Sequence, residues 1–216
     1  MNKCAVIFDM DGVLFDSERM IMECWRELAS EIGIEDPLET CISCMGLNRK
    51  SSALVFKARY GEDFPYIEYK EEVTRRYFAR SENGELRLMK GAREILIFLK
   101  ERGFRIALAS STSRDSVIRM LTNAELIDYF EIIIAGDMVE NSKPAPDIYL
   151  KALDGLGIKA ADAYAIEDSY NGVRSATSAG IDTIMVPDMA KPDDEMNRLA
   201  CVILEDLFEA AKYIGR

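Results

Sequence analysis

The chain has 216 residues, of which 49% are hydrophobic and 30% charged, with a formal net charge of −11 and no histidine. Such acidity argues against nucleic acid or an anionic membrane surface as a partner. The missing histidine removes Ser-His-Asp and Cys-His triads, phosphohistidine chemistry and His-ligated metals together.

The first element is an apolar run, Ala5-Val6-Ile7-Phe8, which stops at Asp9-Met10-Asp11-Gly12. Such a run reads as a strand buried on both faces. An unpaired carboxylate is costly inside it, so Asp9 and Asp11 belong just past its end, where Gly12 allows a tight turn. In open α/β sheets that carboxyl edge is where ligands bind. Two carboxylates one residue apart suit chemistry in which one attacks while the other handles the proton. An Asp-rich turn is the plainer reading of the same residues.

From Ser17 the period changes to helical, with Ile21, Cys24, Trp25, Leu28 and Ile32 on one face and Gly33 as terminator. Helical periodicity alone continues to about Leu88, with stretches near 49–60 and 66–82 punctuated by Gly46, Gly61, Pro65 and Gly84. An all-helical segment after the first strand of an α/β chain reads as a separate small bundle over 17–88, inserted into a core formed by 1–16 and 89–216. The core resumes with a helix from Ala92 to Arg102 and a strand over 105–109. Further strands are expected near 132–135, 163–166, 183–186 and 201–203. That alternation predicts an α/β fold, a doubly wound, mostly parallel, Rossmann-like sheet with an inserted helical domain.

Three later segments bring polar chemistry to strand ends or loops. Ser110-Ser111-Thr112-Ser113 closes the 105–109 strand, where hydroxyls and helix N–H groups make a phosphate cradle. Ser113 or Thr112 as an ordinary N-cap is the simpler alternative. Lys143 sits in the stiff loop Lys143-Pro144-Ala145-Pro146-Asp147, and Glu167-Asp168-Ser169 follows the strand Tyr164-Ala165-Ile166. Asp9, Asp11, Glu167 and Asp168 at one edge would repel by about 4 kcal/mol per close pair at an effective dielectric near 20. Protonation or a divalent cation must offset this, and an all-oxygen donor set points to Mg²⁺. Gly155-Leu156-Gly157 follows a helix and precedes a strand, the reverse of a dinucleotide loop, and reads as a helix C-cap. No P-loop is present.

The segments Asp9-Met10-Asp11-Gly12, Ser110, Lys143-Pro144 and Glu167-Asp168-Ser169 with Gly172, in that order, resemble the haloacid dehalogenase superfamily in its β-phosphoglucomutase-like phosphatase branch. The resemblance spans nearly the whole chain. It implies that Asp9 is the nucleophile and Asp11 the general acid/base, with Ser110, Ser111 and Lys143 holding the transferring phosphoryl group. It further implies Mg²⁺ held by Asp9, the Asp11 backbone carbonyl and Asp168, with Glu167 as an extra or supporting ligand. The 17–88 bundle would be the cap. Gly46-Leu47-Asn48-Arg49-Lys50-Ser51-Ser52 resembles the family's substrate loop, placing Arg49 and Ser52 as substrate contacts; helix capping by Asn48 or Ser51 explains the same residues.

The function so implied is a Mg²⁺-dependent phosphatase of small phosphorylated metabolites, sugar or polyol phosphates, acting through an aspartyl phosphate. A phosphohexose mutase on the same scaffold is the alternative. A non-catalytic phosphate-binding regulatory protein is the other class, against which the Asp9/Asp11 pair speaks. β-Phosphoglucomutases carry a histidine on the first cap helix that helps control the proton donor; the matching position here is Ile21, which favours hydrolysis. The implied partner is a small phosphorylated metabolite, the chain being a monomer or weak homodimer with no nucleic-acid or membrane partner.

The five cysteines imply no disulfide framework. Cys4, Cys24 and Cys201 read as small core residues. The C-x-x-C of Cys41 and Cys44 lacks the context of a redox or zinc motif and reads as incidental. The apolar N-terminal run is broken by Asp9 too early for a signal peptide, and no stretch is long enough to span a membrane. A cytoplasmic location is expected.

Overall fold

The computed structural model describes residues 3–44, 49–189 and 191–216, without the Arg49 side chain. The chain forms two compact units, Met1–Asp16 with Arg87–Arg216, and Ser17–Leu86.

The first unit is a six-stranded, wholly parallel sheet. In chain order its elements are β1 (Ala5–Phe8), α5 (Ala92–Glu101), β2 (Arg105–Ala109), α6 (Arg114–Asn123), β3 (Ile132–Ile134), α7 (Asp147–Leu156), β4 (Ala163–Glu167), α8 (Tyr170–Ser178), β5 (Asp182–Met185), α9 (Asp194–Leu199), β6 (Val202–Ile203) and α10 (Leu207–Ile214). The strand order is β3-β2-β1-β4-β5-β6, so β1 lies centrally and the chain winds outward from it in both directions.

Side-chain alternation along the strands decides what each face carries. Ala5, Ile7, Ala107, Ala109, Ala163 and Ala165 form one cluster with Ile148, Tyr149, Ala152 and Leu153 of α7 and Ala176 of α8. The run of alanines on this face lets those helices sit close to the sheet. The intervening residues Val6, Phe8, Ile106, Leu108 and Ile166 are also fully buried or nearly so. By alternation they face the other side of the sheet, where α5 packs on β2 and against α10.

The second unit comprises α1 (Ser17–Ile32), α2 (Leu38–Ser43), α3 (Arg49–Tyr60) and α4 (Tyr66–Glu82). Its core is aromatic: Phe56 stacks on Trp25 at 4.8 Å and packs against Tyr66 at 4.8 Å. Arg76 of α4 pairs with Glu31 and Glu72, and Arg80 with Glu23, Glu27 and Glu85.

Two cysteines differ from what the sequence suggests. Cys4 and Cys201 are exposed rather than core residues, because each lies one position before its strand, outside the buried run. All five thiols are free. Burial pushes the Cys41 thiol up to about 12, with its neighbour Cys44 adding to the rise. Its thiolate is therefore disfavoured, which speaks against redox use. Among the described residues no helix is long and apolar enough to cross a membrane.

Candidate active site

Strand register builds the site. Phe8 of β1 pairs with Leu108 of β2 and with Ile166 of β4, so the next residues, Asp9, Ala109 and Glu167, form one row across three adjacent strands. Period-two alternation carries Asp9 and Glu167 onto the face lined by Ile7 and Ala165, the side covered by α7.

Lys143 joins that row. Its Nζ donates to Asp9 Oδ1 at 2.6 Å, Glu167 Oε1 at 2.6 Å and the Ala109 carbonyl at 2.9 Å. An ammonium has three protons, and all three are used. The side chain is only 7% exposed, so the lysine is not the solvated surface charge that a loop cation ordinarily is. Burial pushes the ammonium toward its neutral form, but Asp9 and Glu167 outweigh this and hold Lys143 above the ordinary lysine range.

Glu167 departs from expectation. β4 runs one residue further than its apolar pattern, and Glu167 is its last, completely buried residue. A carboxylate is tolerated there because Oε1 accepts from both Lys143 and the Tyr149 hydroxyl, each at 2.6 Å. The Ser169 hydroxyl lies 3.3 Å from Oε2. The space itself is made by Gly172, where a Cβ would fall 1.8–2.1 Å from the Glu167 carboxyl atoms.

Gly12 has a matching part at Asp168. Its φ of +76° is left-handed, and a Cβ there would come within 2.2 Å of Asp168 Oδ2. Asp9, Glu167 and Asp168 each offer one carboxylate oxygen within 4.8 Å of the others. At that separation each pair of charges repels by about 3–4 kcal/mol at an effective dielectric near 20. The three-oxygen donor set, with one cation already among them, fits a hard divalent ion such as Mg²⁺.

Asp11 lies at the turn, half-buried, and its Oδ2 accepts from the Thr112 hydroxyl at 2.9 Å. Thr112 is thus neither a helix cap nor a core residue. Ser113 holds the N-cap position of α6 but makes no side-chain cap bond; the Asp137 carboxylate accepts from the N–H of Arg114, the first residue of the helix, at 3.1–3.2 Å. Ser110 is fully buried and its Oγ accepts from the Thr112 N–H at 3.1 Å, while Ser111 is exposed. Asp9, Asp11, Ser110, Lys143, Glu167 and Asp168 therefore share one sheet edge, with Ser111 beside them. Ser52 belongs to the second unit, buried on α3 with its carbonyl accepting from Cys44 Sγ–H at 3.9 Å. Residues 46–48 and the Arg49 side chain lie outside the described residues.

Tyr149 and Thr112 carry bonds that the sequence does not announce. Tyr149 looks like any apolar position of an amphipathic helix, and only its place six residues after Lys143 hints at a shared site.

Burial raises the Asp9 carboxyl from 3.8 to about 7; Lys143 opposes the rise, and Glu167 and Asp11 add to it. Between those values the native state holds a proton that the unfolded chain has released, so this group's contribution to stability is lost as pH rises through that window. In chelator, melting temperature is expected to fall from about pH 4 to about pH 7, and Asp9→Asn should flatten the fall. Equal slopes for the two proteins in a melting series would refute this.

The family model of haloacid dehalogenase-like hydrolases matches residues 6–186. The phosphorylated carbohydrates phosphatase of Thermotoga maritima is 34% identical over 183 residues, covering 83% of each chain. A β-phosphoglucomutase-like structure from Thermotoga maritima superposes with a TM-score of 0.78 at 30% identity, over 98% of both chains. A hydrolase structure from Deinococcus radiodurans, with bound phosphate and sodium, gives a TM-score of 0.81 at 29% identity, over 99% of this chain and 97% of that one. The chain is an enzyme of the haloacid dehalogenase-like hydrolase family, whose relatives here are phosphatases and β-phosphoglucomutase-like proteins.

Proposed function

We propose that this enzyme is a Mg²⁺-dependent phosphatase that hydrolyses small phosphorylated carbohydrates or polyols through an aspartyl phosphate on Asp9. The observation that carries the reading is the buried Asp9 carboxylate held by Lys143, two residues before a second carboxylate positioned by Thr112. A binding module has no need of a nucleophile next to a proton carrier.

In the first step an Asp9 oxygen attacks phosphorus in line, the ester P–O bond breaks, and Asp11 gives its proton to the leaving oxygen. In the second step Asp11 takes a proton from water, the water oxygen attacks phosphorus, and the bond to Asp9 breaks to release phosphate. A positioned acid/base of this kind contributes about 10²–10⁴-fold. Lys143, already in contact with the nucleophile, offsets the charge of an incoming phosphoryl group, and the Ser110 and Ser111 region binds its oxygens. Asp9, Glu167 and Asp168, with the Asp11 backbone carbonyl, would hold Mg²⁺, which supplies charge neutralisation for the phosphoryl oxygens when bound.

The second unit, with Arg49 and Ser52, is the part proposed to select among substrates. Ile21 stands where a mutase would carry a proton-controlling histidine, which favours hydrolysis over transfer. The carbohydrate preference rests on the Thermotoga maritima relative named above. The acidic, disulfide-free chain is read as cytoplasmic.

The test is phosphate release from a panel of sugar, polyol and other small phosphomonoesters. Mg²⁺ should support turnover, chelator should silence it, and Ca²⁺ should inhibit because its looser, larger coordination misplaces the attacking carboxylate. Undiminished activity in chelator would rule out the metal. Rapid conversion of glucose 1-phosphate to glucose 6-phosphate with little free phosphate would favour the mutase.

A further inference from the structure

Tyr149 is a fully buried phenol that the proposed chemistry does not use. It comes from the first turn of α7, on the sheet face that carries Asp9 and Glu167. Its hydroxyl donates to Glu167 Oε1 at 2.6 Å, the same oxygen that accepts from Lys143 at 2.6 Å. Its ring centroid lies 5.2 Å from the Lys143 Nζ, so one side chain touches both members of the buried ion pair by two different parts of its surface.

The lysine's three donors are already committed to Asp9, Glu167 and the Ala109 carbonyl. The phenol is therefore the second strong donor on Glu167 Oε1. Were position 149 a phenylalanine, the core would be filled equally well but Oε1 would rely on Lys143 alone. The carboxylate is also confined sterically, lying where a Cβ on residue 172 would be. Oε1 is saturated, whereas Oε2 accepts from the Ser169 hydroxyl at the longer distance of 3.3 Å and keeps capacity for a further ligand; Glu167 is one of three residues that each offer a carboxylate oxygen within 4.8 Å of the others.

We infer that Tyr149 is a positioning residue for the cation site: by holding Glu167 Oε1 together with Lys143, its hydroxyl presents Oε2 to a divalent ion. The inference rests on the Mg²⁺ part of the phosphatase reading. A donor that orients a ligand carboxylate is worth about 10–100-fold in metal affinity or activity.

The experiment is calorimetric titration of the purified protein with Mg²⁺ alone, which requires no substrate and no turnover. Tyr149→Phe, which keeps the ring and its packing, should weaken Mg²⁺ binding about tenfold. The Mg²⁺ concentration for half-maximal phosphate release should rise in parallel, by more than kcat at saturating Mg²⁺ falls. Ile148→Val loosens the neighbouring core position of the same helix without touching Glu167. It should lower the melting temperature and leave Mg²⁺ affinity within about twofold.

A Tyr149→Phe affinity within twofold of the unmodified protein overturns the inference, as does an equal loss in Ile148→Val. Absence of any Mg²⁺ binding by the unmodified protein overturns it too. If Mg²⁺ binds and Tyr149→Phe weakens it while no phosphoester is hydrolysed, the inference stands and the phosphatase reading alone fails. Should Tyr149→Phe not fold, the unmodified protein answers by NMR: the slowly exchanging Tyr149 hydroxyl proton should shift on Mg²⁺ addition, and an unmoved signal overturns the inference.

Discussion

Asp9→Asn should lose phosphatase turnover by on the order of 10⁴-fold or more while remaining folded. The amide has the shape of the carboxylate but no oxygen nucleophilic enough to displace the ester. Its Oδ1 can still accept from Lys143, and Lys143 keeps its bond to Glu167, so no charge is stranded in the interior. The variant also ought to separate chemistry from binding, since it retains the partners that surround the phosphoryl site. Steady-state phosphate release, alongside a melting curve, measures both parts. A folded Asp9→Asn enzyme with near-normal turnover would remove the covalent mechanism.

Gly172→Ala is the second large effect, and its sign is informative. Residue 172 lies in the first turn of α8, where alanine is the better helix former by about 1 kcal/mol. Helix propensity alone therefore predicts a more stable protein. Contact predicts the opposite, because the new Cβ would fall 1.8–2.1 Å from the Glu167 carboxyl atoms. That carboxylate has nowhere to go without leaving Lys143 and Tyr149. Displacing one member of a buried ion pair costs about 3–5 kcal/mol, with overpacking adding to it. We expect a loss of about 3 kcal/mol or more in denaturant unfolding, and about a 10²-fold loss of activity as Glu167 and Lys143 shift. A variant as stable and active as the parent would mean that Glu167 does not need its seat.

Much of this architecture is legible in the residues because it follows from two periods. The apolar runs at Ala5–Phe8 and Arg105–Ala109 end where the strands end, and the helical periods over 49–60 and 66–82 return as α3 and α4. Polar residues at the ends of β1 and β2 could be grouped in advance because parallel strands deliver their carboxyl ends to one edge.

What stayed hidden depends on contacts between residues far apart in the chain. Glu167 reads as a loop acid because nothing in Ala163–Ile166 reveals the two donors that let it be buried. Tyr149 is indistinguishable from a core aromatic until β4 is placed opposite α7. Asp137 accepts from the Arg114 N–H at the start of α6 from 23 residues along the chain, a contact that no local propensity records. Cys4 and Cys201 fall on the wrong side of a strand end by a single residue, a margin finer than hydropathy can resolve.

The most direct test of the account is to look for the phosphoryl group on Asp9. The protein would be mixed with Mg²⁺ and excess of a phosphomonoester that it hydrolyses, quenched in acid within a turnover, digested and examined by mass spectrometry. One added phosphoryl group is expected on the peptide containing Asp9, absent in Asp9→Asn and lost on mild base treatment, as an acyl phosphate should be. Turnover with no phosphoryl group on that peptide, or with one on a different residue, would contradict it.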